Sequence, residues 1–267
     1  MYFSLTGGLM ERLDKYIADR TEMSRKDVKQ LVRKGCVCID GKVVSDASAK
    51  VETGSEVSVN GKKLRTNTNT YIMLNKPEGC VCSTKDSVSR TVLSYVPPTL
   101  KVKNLFPAGR LDKDSKGFVL LTDDGEFAHR ILSPKKHLPK YYLVRLREKY
   151  NVKYEAAFLE GMVIDGNEKC LPARVSGIPE NEKYAFIELH EGKFHQVKRM
   201  FEAVENSVES LYRTQIGGLA ISPDLAPGEC LELLNNDVEK MLSETVFTDV
   251  LETLQKSFWA YLINNDL

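Results

Sequence analysis

The sequence contains no long apolar segment, no internal repeat and no low-complexity tract. No apolar run approaches the roughly 18–20 residues that a membrane-spanning helix needs, so we expect no membrane association. The N-terminal segment lacks a basic stretch followed by a long apolar one, which argues against a signal peptide, and residues 1–9 are predicted to be a lead or a tag remnant. With 28% charged and 42% hydrophobic residues, the composition is that of an ordinary globular protein.

The six cysteines do not have the spacing of a metal site. Cys36 and Cys38, and likewise Cys80 and Cys82, form C-x-C pairs inside predicted strands, which directs both thiols of a pair to one face. Zinc sites usually use pairs with about two to four intervening residues. We therefore predict no metal site and reduced thiols in a cytoplasmic protein.

Positive charge is unevenly distributed along a chain whose formal net charge is only +1. Residues 10–66 carry a net charge of +4 and residues 129–149 a net charge of +6, whereas residues 238–267 carry −3. A basic beginning and middle with an acidic end indicates a polyanion bound on one side, and modestly favours nucleic acid.

Residues 10–66 have the pattern of a compact α+β module. A short helix is predicted over residues 11–19, and Ser24 with Asp27 has the spacing of a capping box that begins a second helix. Gly35 is placed to end that helix. Strands at residues 36–39, 42–44 and 56–59 are separated by the turn dipeptides Asp40-Gly41 and Asn60-Gly61.

The second helix concentrates cations on its surface. The pattern R-L-D-K-x-I, followed by S-R, G-x-V-x-I and D-G-K-V-V, resembles the S4-type RNA-binding domain over its whole length. Although a basic helix face is more often merely solvated, this resemblance implies that the helix contacts the RNA backbone, where cations release counterions. The implied RNA-binding residues of this helix are Arg25, Lys26, Lys29, Arg33 and Lys34.

A polar linker at residues 67–70 precedes a larger predicted domain at residues 71–237. Its apolar patterns predict strands at residues 71–74, 117–122, 141–146 and 184–189, and helices after Asp124-Gly125 and over residues 195–204. The acidic segment 238–267 is predicted to form an amphipathic helical tail.

The segment from Ala108 to Gly125 carries the most informative motif. An isolated Gly109-Arg110-Leu111-Asp112 would be a loop whose carboxylate pairs with Arg110 or accepts a loop N–H. The full run A-G-R-L-D-K-D-S-K-G-F-V-L-L-T-D-D-G, however, closely resembles the signature of the RsuA/RluB/RluE/RluF class of pseudouridine synthases. The resemblance implies that Asp112 is the essential carboxylate and that Arg110 and Leu111 line the substrate pocket.

Two further blocks resemble the same family. Lys140-Tyr141-Tyr142-Leu143-Val144 implies a functional tyrosine at Tyr142 and an RNA-binding Lys140. Tyr141 is the competing candidate, because an alternating strand points the two rings to opposite faces, and either ring could be a core aromatic.

The block from Glu191 to Met200 implies that Val197 packs in the site and that Lys198 is the ion partner of Asp112. His195 and Gln196 are implied to line the substrate pocket. The alternative for this block is an ordinary basic helix face.

The implied reaction needs neither a metal nor a cofactor. It breaks the N1–C1′ bond of uridine and joins C5 to C1′, with an ionised carboxylate that acts either as a nucleophile or as a base. A neighbouring Lys198 would lower the pKa of Asp112, and Tyr142 would stack on the extruded base and accept the C5 proton. Asp112, Asp114, Asp123 and Asp124 also permit a magnesium nuclease, although Asp123-Asp124-Gly125 is more simply a turn and helix cap.

The substrate expectation depends on one block. His195-Gln196-Val197-Lys198-Arg199-Met200-Phe201 resembles the small-subunit branch of the class, which implies 16S ribosomal RNA, or a small-subunit assembly intermediate, and the single uridine that this branch modifies (U516). A synthase for 23S ribosomal RNA and a non-catalytic ribosome-assembly protein remain open. We expect an α+β monomer in which an S4-like module precedes a catalytic domain with a mixed, mainly antiparallel sheet.

Overall fold

A computed structural model describes residues 10–21, 23–52, 55–64, 69–133 and 138–257. The chain divides into two compact units: unit 1 runs to Thr70 and includes Val102–Asn104, and unit 2 comprises Tyr71–Lys101 and the chain from Leu105 onward. The predicted lead at residues 1–9, most of the linker and the end of the predicted tail lie outside the described residues.

Unit 1 contains two helices and short strands around one apolar core. The second helix begins with the predicted capping box: Ser24 Oγ accepts from Asp27 N, and the Asp27 carboxylate accepts from Ser24 N. Its buried side, Val28 and Val32, packs with Leu13 and Ile17 of the first helix. The elements are α1 (Leu13–Asp19), α2 (Arg25–Arg33), β1 (Glu11–Arg12), β2 (Val37–Ile39), β3 (Lys42–Val43), β4 (Lys50–Val51), β5 (Val57–Val59) and β6 (Lys62–Lys63).

The two predicted turns connect the strands of this unit. β3, β2, β5 and β6 form a sheet in that order, and β1 pairs with β4. Asp40 and Asn60 have φ values of 49° and 51°, and the glycine after each also has positive φ. This left-handed backbone is the conformation that an Asp-Gly or Asn-Gly hairpin turn requires, so both turn predictions are confirmed.

Unit 2 is built on a large twisted sheet with helices packed against it. Its strands are β7 (Tyr71–Lys76), β8 (Phe106–Pro107), β9 (Lys116–Thr122), β10 (Lys140–Leu146), β11 (Val163–Ile164), β12 (Glu168–Lys169), β13 (Arg174–Ile178), β14 (Asn181–Leu189), β15 (Val208–Ile216), β16 (Leu219–Ala220) and β17 (Cys230–Glu232). Its helices are α3 (Gly125–Leu132), α4 (Lys153–Leu159), α5 (Gln196–Glu202), α6 (Asn235–Met241) and α7 (Phe247–Ser257), with short 3₁₀ turns at Val92–Tyr95 and Asp165–Asn167.

The main sheet of unit 2 is mixed and mainly antiparallel. Its described strands follow the order β13-β14-β10-β15-β9-β7-β17, with β16 paired to β15 and β8 paired to β9. Only the β15–β9 pairing among these is parallel. The predicted α+β class with a mainly antiparallel sheet is therefore confirmed.

The C-terminal helices belong to the core of unit 2. Met241 of α6 and Phe247 and Leu254 of α7 are buried in the same apolar cluster as Phe186 of the sheet. Thr245, between the two helices, shares a 2.6 Å hydrogen bond with the Tyr141 hydroxyl. Within the part of the chain that the structure describes, no helix is both long and apolar enough to cross a membrane.

Candidate active site

A cleft of about 880 Å³ opens on one side of the unit 2 sheet. Its size lies in the range of small-molecule and cofactor sites, roughly 300–1,000 Å³. The three sequence blocks that are far apart along the chain all contribute to its wall. Of the predicted site residues, those that line it are Arg110, Leu111, Asp112, Lys140, Tyr142, His195, Gln196 and Val197.

Asp112 lies in the loop that connects β8 to β9. Its side chain is 30% exposed, so the carboxylate reaches the cleft without being freely solvated. His195 Nε2 lies 3.5 Å from Asp112 Oδ1, which makes the imidazole the nearest described ion-pair partner of this carboxylate.

The backbone of the Asp112 loop is fixed by buried side chains from outside the loop. Lys76, at the end of β7, is fully buried and donates through Nζ to the carbonyl oxygens of Pro77, Lys113 and Ser115 at 3.1, 3.3 and 2.6 Å. The Leu111 N–H donates to Cys82 Sγ at 3.3 Å. Because buried cations require compensating hydrogen bonds, Lys76 and the loop carbonyls stabilise each other. Burial still lowers the pKa of Lys76.

Arg213 of β15 supports the same loop from the other side. Its Nε donates to Phe118 O at 2.7 Å and its Nη1 to Arg110 O at 3.4 Å. Gly117, at the start of β9, makes this approach possible, because a Cβ there would lie 2.4 Å from Arg213 O. Only glycine permits this contact, and Gly117 also has a φ of +100°.

Strand alternation places the two tyrosines on opposite faces of β10. Tyr142 lines the cleft and is the cross-strand neighbour of Arg213. Tyr141 is fully buried on the opposite face, where its ring stacks on Phe186 with a centroid distance of 5.8 Å. Tyr142 is thus the tyrosine that can face a substrate in the cleft.

The predicted ion pair between Lys198 and Asp112 is wrong. Lys198 Nζ instead binds Asp114 Oδ2 at 2.6 Å, and neither Lys198 nor Asp114 lines the cleft. Burial alone would raise the pKa of Asp114, but the hydrogen bond and charge of Lys198 hold it below its usual value. The reason is helical geometry: Val197 is buried against the cleft, and the next residue points about 100° further round α5.

Gln196 and Arg199 organise the segment that carries His195. Gln196 is buried, accepts from Lys193 N at 2.9 Å and donates to Glu191 Oε1 at 2.6 Å. Arg199 donates through Nη1 to Phe194 O at 3.0 Å and to Glu168 Oε2 at 2.8 Å. Gln196 therefore lines the cleft mainly as a brace for the loop before α5.

Lys140, which was predicted to bind RNA, lies in the lining of the cleft. It lies two residues from Tyr142 on β10, and its Nζ donates to Leu138 O at 3.1 Å. Burial, with a smaller contribution from the charge of Arg213, lowers the pKa of Lys140 to about 8. Lys140 is therefore a half-buried cation on the cleft wall.

The acidic residues near Asp112 have separate structural roles. Asp124 caps α3 by accepting from Phe127 N at 2.9 Å, and it also accepts from the Tyr71 hydroxyl at 2.6 Å. The prediction of a turn and helix cap at this position is confirmed. The described residues include no group of three His, Cys, Asp or Glu side chains arranged to hold a metal ion.

The predicted RNA-binding cations of unit 1 are all exposed. Arg25, Lys26, Lys29, Arg33 and Lys34 lie on α2 or at its end, and Val28 and Val32 occupy its buried side. The charges of Arg25 and Lys26 act on Asp14 and Asp27, but no described carboxylate forms an ion pair with any of the five.

Two residues of the site were not predicted to be functional from the sequence. The block Asn75-Lys76-Pro77 also resembles the small-subunit branch of the class, so the sequence did contain a signal for Lys76. Arg213 is the one cation of β15, and the parallel β15–β9 pairing brings it to the Asp112 loop. Its contact with Arg110 spans more than a third of the chain, which no local pattern reveals.

Comparisons with known proteins agree with this geometry. Residues 70–203 match the family described as RNA pseudouridylate synthase, and residues 11–57 match the S4 domain. The fold and site therefore define a class, and the chain belongs to the RNA pseudouridine synthase family, with an N-terminal S4 domain. It is accordingly an isomerase, because pseudouridine has the same atoms as uridine.

Individual relatives match over nearly their whole length. The chain is 42% identical to the uncharacterized RNA pseudouridine synthase YtzG of Bacillus subtilis, a match that covers 85% of this chain and 96% of the relative. It is 40% identical to the ribosomal small subunit pseudouridine synthase A of Escherichia coli, covering 86% and 100%. A crystal structure of a pseudouridylate synthase superposes with a TM-score of 0.60 at 38% identity, covering 86% of this chain and 99% of that one.

Proposed function

We propose that this chain converts one uridine of 16S ribosomal RNA, the U516 site, to pseudouridine, with Asp112 as the reacting carboxylate. The observation that carries the proposal is the position of Asp112, which faces the same cleft as Tyr142 and His195. Support for the small-subunit substrate comes from several relatives, among them those of Escherichia coli and Haemophilus influenzae, that are named ribosomal small subunit pseudouridine synthase A. The protein is proposed to act as a cytoplasmic monomer.

The proposed reaction is a balanced isomerisation. The N1–C1′ bond breaks, uracil rotates, and a C5–C1′ bond forms; the proton on C5 leaves and N1 gains a proton. Asp112 acts either by attack on the nucleoside or by removal of a ribose proton, and both roles require an ionised carboxylate. Lys76 holds the backbone of the loop that carries this carboxylate, and His195 lies beside it.

Tyr142 is proposed to hold the base during the rotation. Its ring lies on the cleft wall two residues from Lys140. The target uridine must leave its stack, which costs a few kcal/mol and least in a single-stranded region. Stacking on an aromatic ring recovers part of that cost, and the phenol is a candidate acceptor for the C5 proton.

Unit 1 is proposed to supply non-specific affinity for the RNA backbone. The five exposed cations of α2 have no described carboxylate partner, so they are available to bind phosphates. Such contacts fix the position of an RNA but carry no sequence information. The choice of uridine therefore falls to the cleft and its rim.

Release of tritium from RNA containing C5-labelled uridine tests the proposal. Wild-type protein is expected to release tritium from 16S RNA or a small-subunit assembly intermediate, and Asp112→Asn to reduce the rate by about three orders of magnitude or more. Asp224→Asn is the matched control, because Asp224 is exposed and lies outside the cleft.

Each other result identifies an alternative. Release from 23S RNA but not from 16S RNA would contradict the substrate assignment. Tight RNA binding without release from either RNA would indicate a non-catalytic assembly factor. Loss of the activity on addition of a chelator would indicate a metal-dependent reaction.

A further inference from the structure

Phe194 is an exposed aromatic residue at the cleft. Its side chain is 75% exposed, and no other aromatic residue of the described part of the chain falls in the exposed class. Burying a phenylalanine normally contributes substantially to stability. Phe194 is exposed and lines the cleft, so its ring can be buried when a ligand binds there.

The ring of Phe194 is held in place before any ligand binds. It stacks on the imidazole of His195, with a centroid distance of 3.8 Å and an interplanar angle of 16°. Its carbonyl oxygen accepts from Arg199 Nη1, and the Lys193 N–H donates to the Gln196 side chain across the same turn. These contacts reduce the conformational entropy that an exposed ring would lose on binding.

His195 connects this stack to the proposed reacting carboxylate. Its backbone is left-handed, with a φ of +48°, which is a strained conformation for a residue other than glycine. In that conformation its Nε2 lies 3.5 Å from Asp112 Oδ1 while its ring face lies against Phe194. The position of Phe194 is thus fixed relative to Asp112.

The surroundings favour a nucleobase as the missing partner. The cleft that Phe194 lines is also lined by the cations Arg110, Lys140, Lys169 and Lys193. Aromatic rings interleaved with cations are the arrangement by which proteins bind single-stranded RNA, because every base has a π-face and every nucleotide a phosphate. When a uridine is extruded, its neighbour in the strand loses a stacking partner, and an aromatic ring beside the cleft can replace that partner.

We propose that Phe194, backed by His195, stacks on a base that flanks the target uridine while that uridine occupies the cleft. This inference rests on the proposed function, since it requires an extruded uridine. It adds a positioning residue for the RNA strand within the block from Glu191 to Met200, at a position to which the resemblance assigned no role.

A double-mutant cycle that combines protein variants with modified RNA substrates tests the inference. The substrates are a 16S fragment and two copies of it with an abasic nucleotide on the 5′ or the 3′ side of the target uridine. The enzymes are wild type, Phe194→Ala and Phe194→Tyr, with Val152→Ala as the control that removes a 68% exposed apolar side chain outside the cleft. The quantities measured are kcat and KM for tritium release, and the midpoint of thermal unfolding of each variant.

Phe194→Ala is expected to lower kcat/KM on the intact fragment by roughly ten-fold or more, mainly through KM. Phe194→Tyr and Val152→Ala should stay near wild type, and all four proteins should unfold at similar temperatures. One abasic substitution should slow wild type by a similar factor but leave Phe194→Ala unchanged, because the stacking partner is already missing.

Other outcomes overturn the inference. If Phe194→Ala and each abasic substitution lower kcat/KM by independent factors that multiply, Phe194 stacks on neither flanking base, even if wild type is fully active. Full activity of Phe194→Ala on naked RNA would instead indicate that Phe194 contacts a protein partner. An inactive wild type on all RNAs would overturn the proposed function, and this inference with it.

Discussion

Unit 1 and unit 2 carry their functional positive charge in contrasting environments. The five cations of α2 are exposed and have no described carboxylate partner, whereas Lys76 and Arg213 are buried and bind backbone carbonyl oxygens. Lys140 lies between these extremes, on the cleft wall. Exposed cations act on a distant polyanion and are screened by salt. Buried cations act at short range on the geometry and field of one loop.

The contrast predicts that removal of a buried cation destabilises the fold. Lys76→Met removes a donor from three carbonyl oxygens. Lys113 O keeps the Gly79 N–H and Pro77 O keeps the Cys80 thiol, so the main loss is the donor of Ser115 O, and an unpaired buried acceptor costs about 1–3 kcal/mol. We expect the free energy of unfolding to fall by about 1–3 kcal/mol, measured by urea denaturation. Lys85→Met, at an exposed lysine, should change it by less than about 0.5 kcal/mol. Equal effects from the two substitutions would show that Lys76 does not hold the loop.

Removal of exposed cations should instead leave stability intact and weaken RNA binding. For the double variant Lys29→Gln and Arg33→Gln, we expect an affinity loss of about ten-fold at low salt. The slope of log Kd against log salt concentration should become shallower by about 1.5, since two phosphate contacts are lost.

The matched control for this prediction is the double variant Lys153→Gln and Lys183→Gln, which removes two exposed cations of unit 2. Its slope should equal that of wild type. An identical change of slope in both double variants would indicate a general charge effect and not a binding surface on α2.

Lys140 should show its intermediate character as a pH dependence of stability. Its pKa is about 8 in the folded protein, below the usual 10.5 that the unfolded chain retains. Between these values the unfolded chain binds more protons, so stability rises with pH through that window. Relative to Lys140→Met, wild type should therefore gain about 2–3 kcal/mol between pH 7 and pH 10. A constant difference across this range would contradict the lowered pKa.

The Lys198–Asp114 pair should have the smallest effect. Asp114 is 59% exposed, and exposed ion pairs contribute about 0–1 kcal/mol. A double-mutant cycle of Lys198→Gln with Asp114→Asn should give a coupling energy of about 0.5 kcal/mol in urea denaturation. The same cycle of Lys198→Gln with Asp112→Asn should give none, and a larger coupling there would restore the pairing that the sequence predicted.

Local patterns predicted much of the fold. The Ser24–Asp27 capping box, the turns at Asp40 and Asn60, and the opposite faces of Tyr141 and Tyr142 all follow from local sequence patterns. Lys140 lies two residues from Tyr142 on the same strand, so the alternation that places Tyr142 on the cleft wall also places Lys140 there.

Local sequence patterns did not predict which side chains hold the Asp112 loop. Lys76 and Arg213 reach that loop only through the pairing of β7, β9 and β15, which a single sequence does not specify. Lys198 points about 100° further round α5 than Val197, and in that direction its partner is Asp114. The predicted pair with Asp112 was wrong for this reason. Long-range pairing and exact side-chain direction are the two quantities that residue patterns leave undetermined.

Mapping pseudouridine at nucleotide resolution tests the central claim most directly. Small-subunit RNA from a strain lacking this protein would be incubated with wild type, with Asp112→Asn and with Asp224→Asn. We predict one new pseudouridine in 16S RNA with wild type and with Asp224→Asn, and none with Asp112→Asn. The same modification made by Asp112→Asn, or a new pseudouridine only in 23S RNA, would contradict the account.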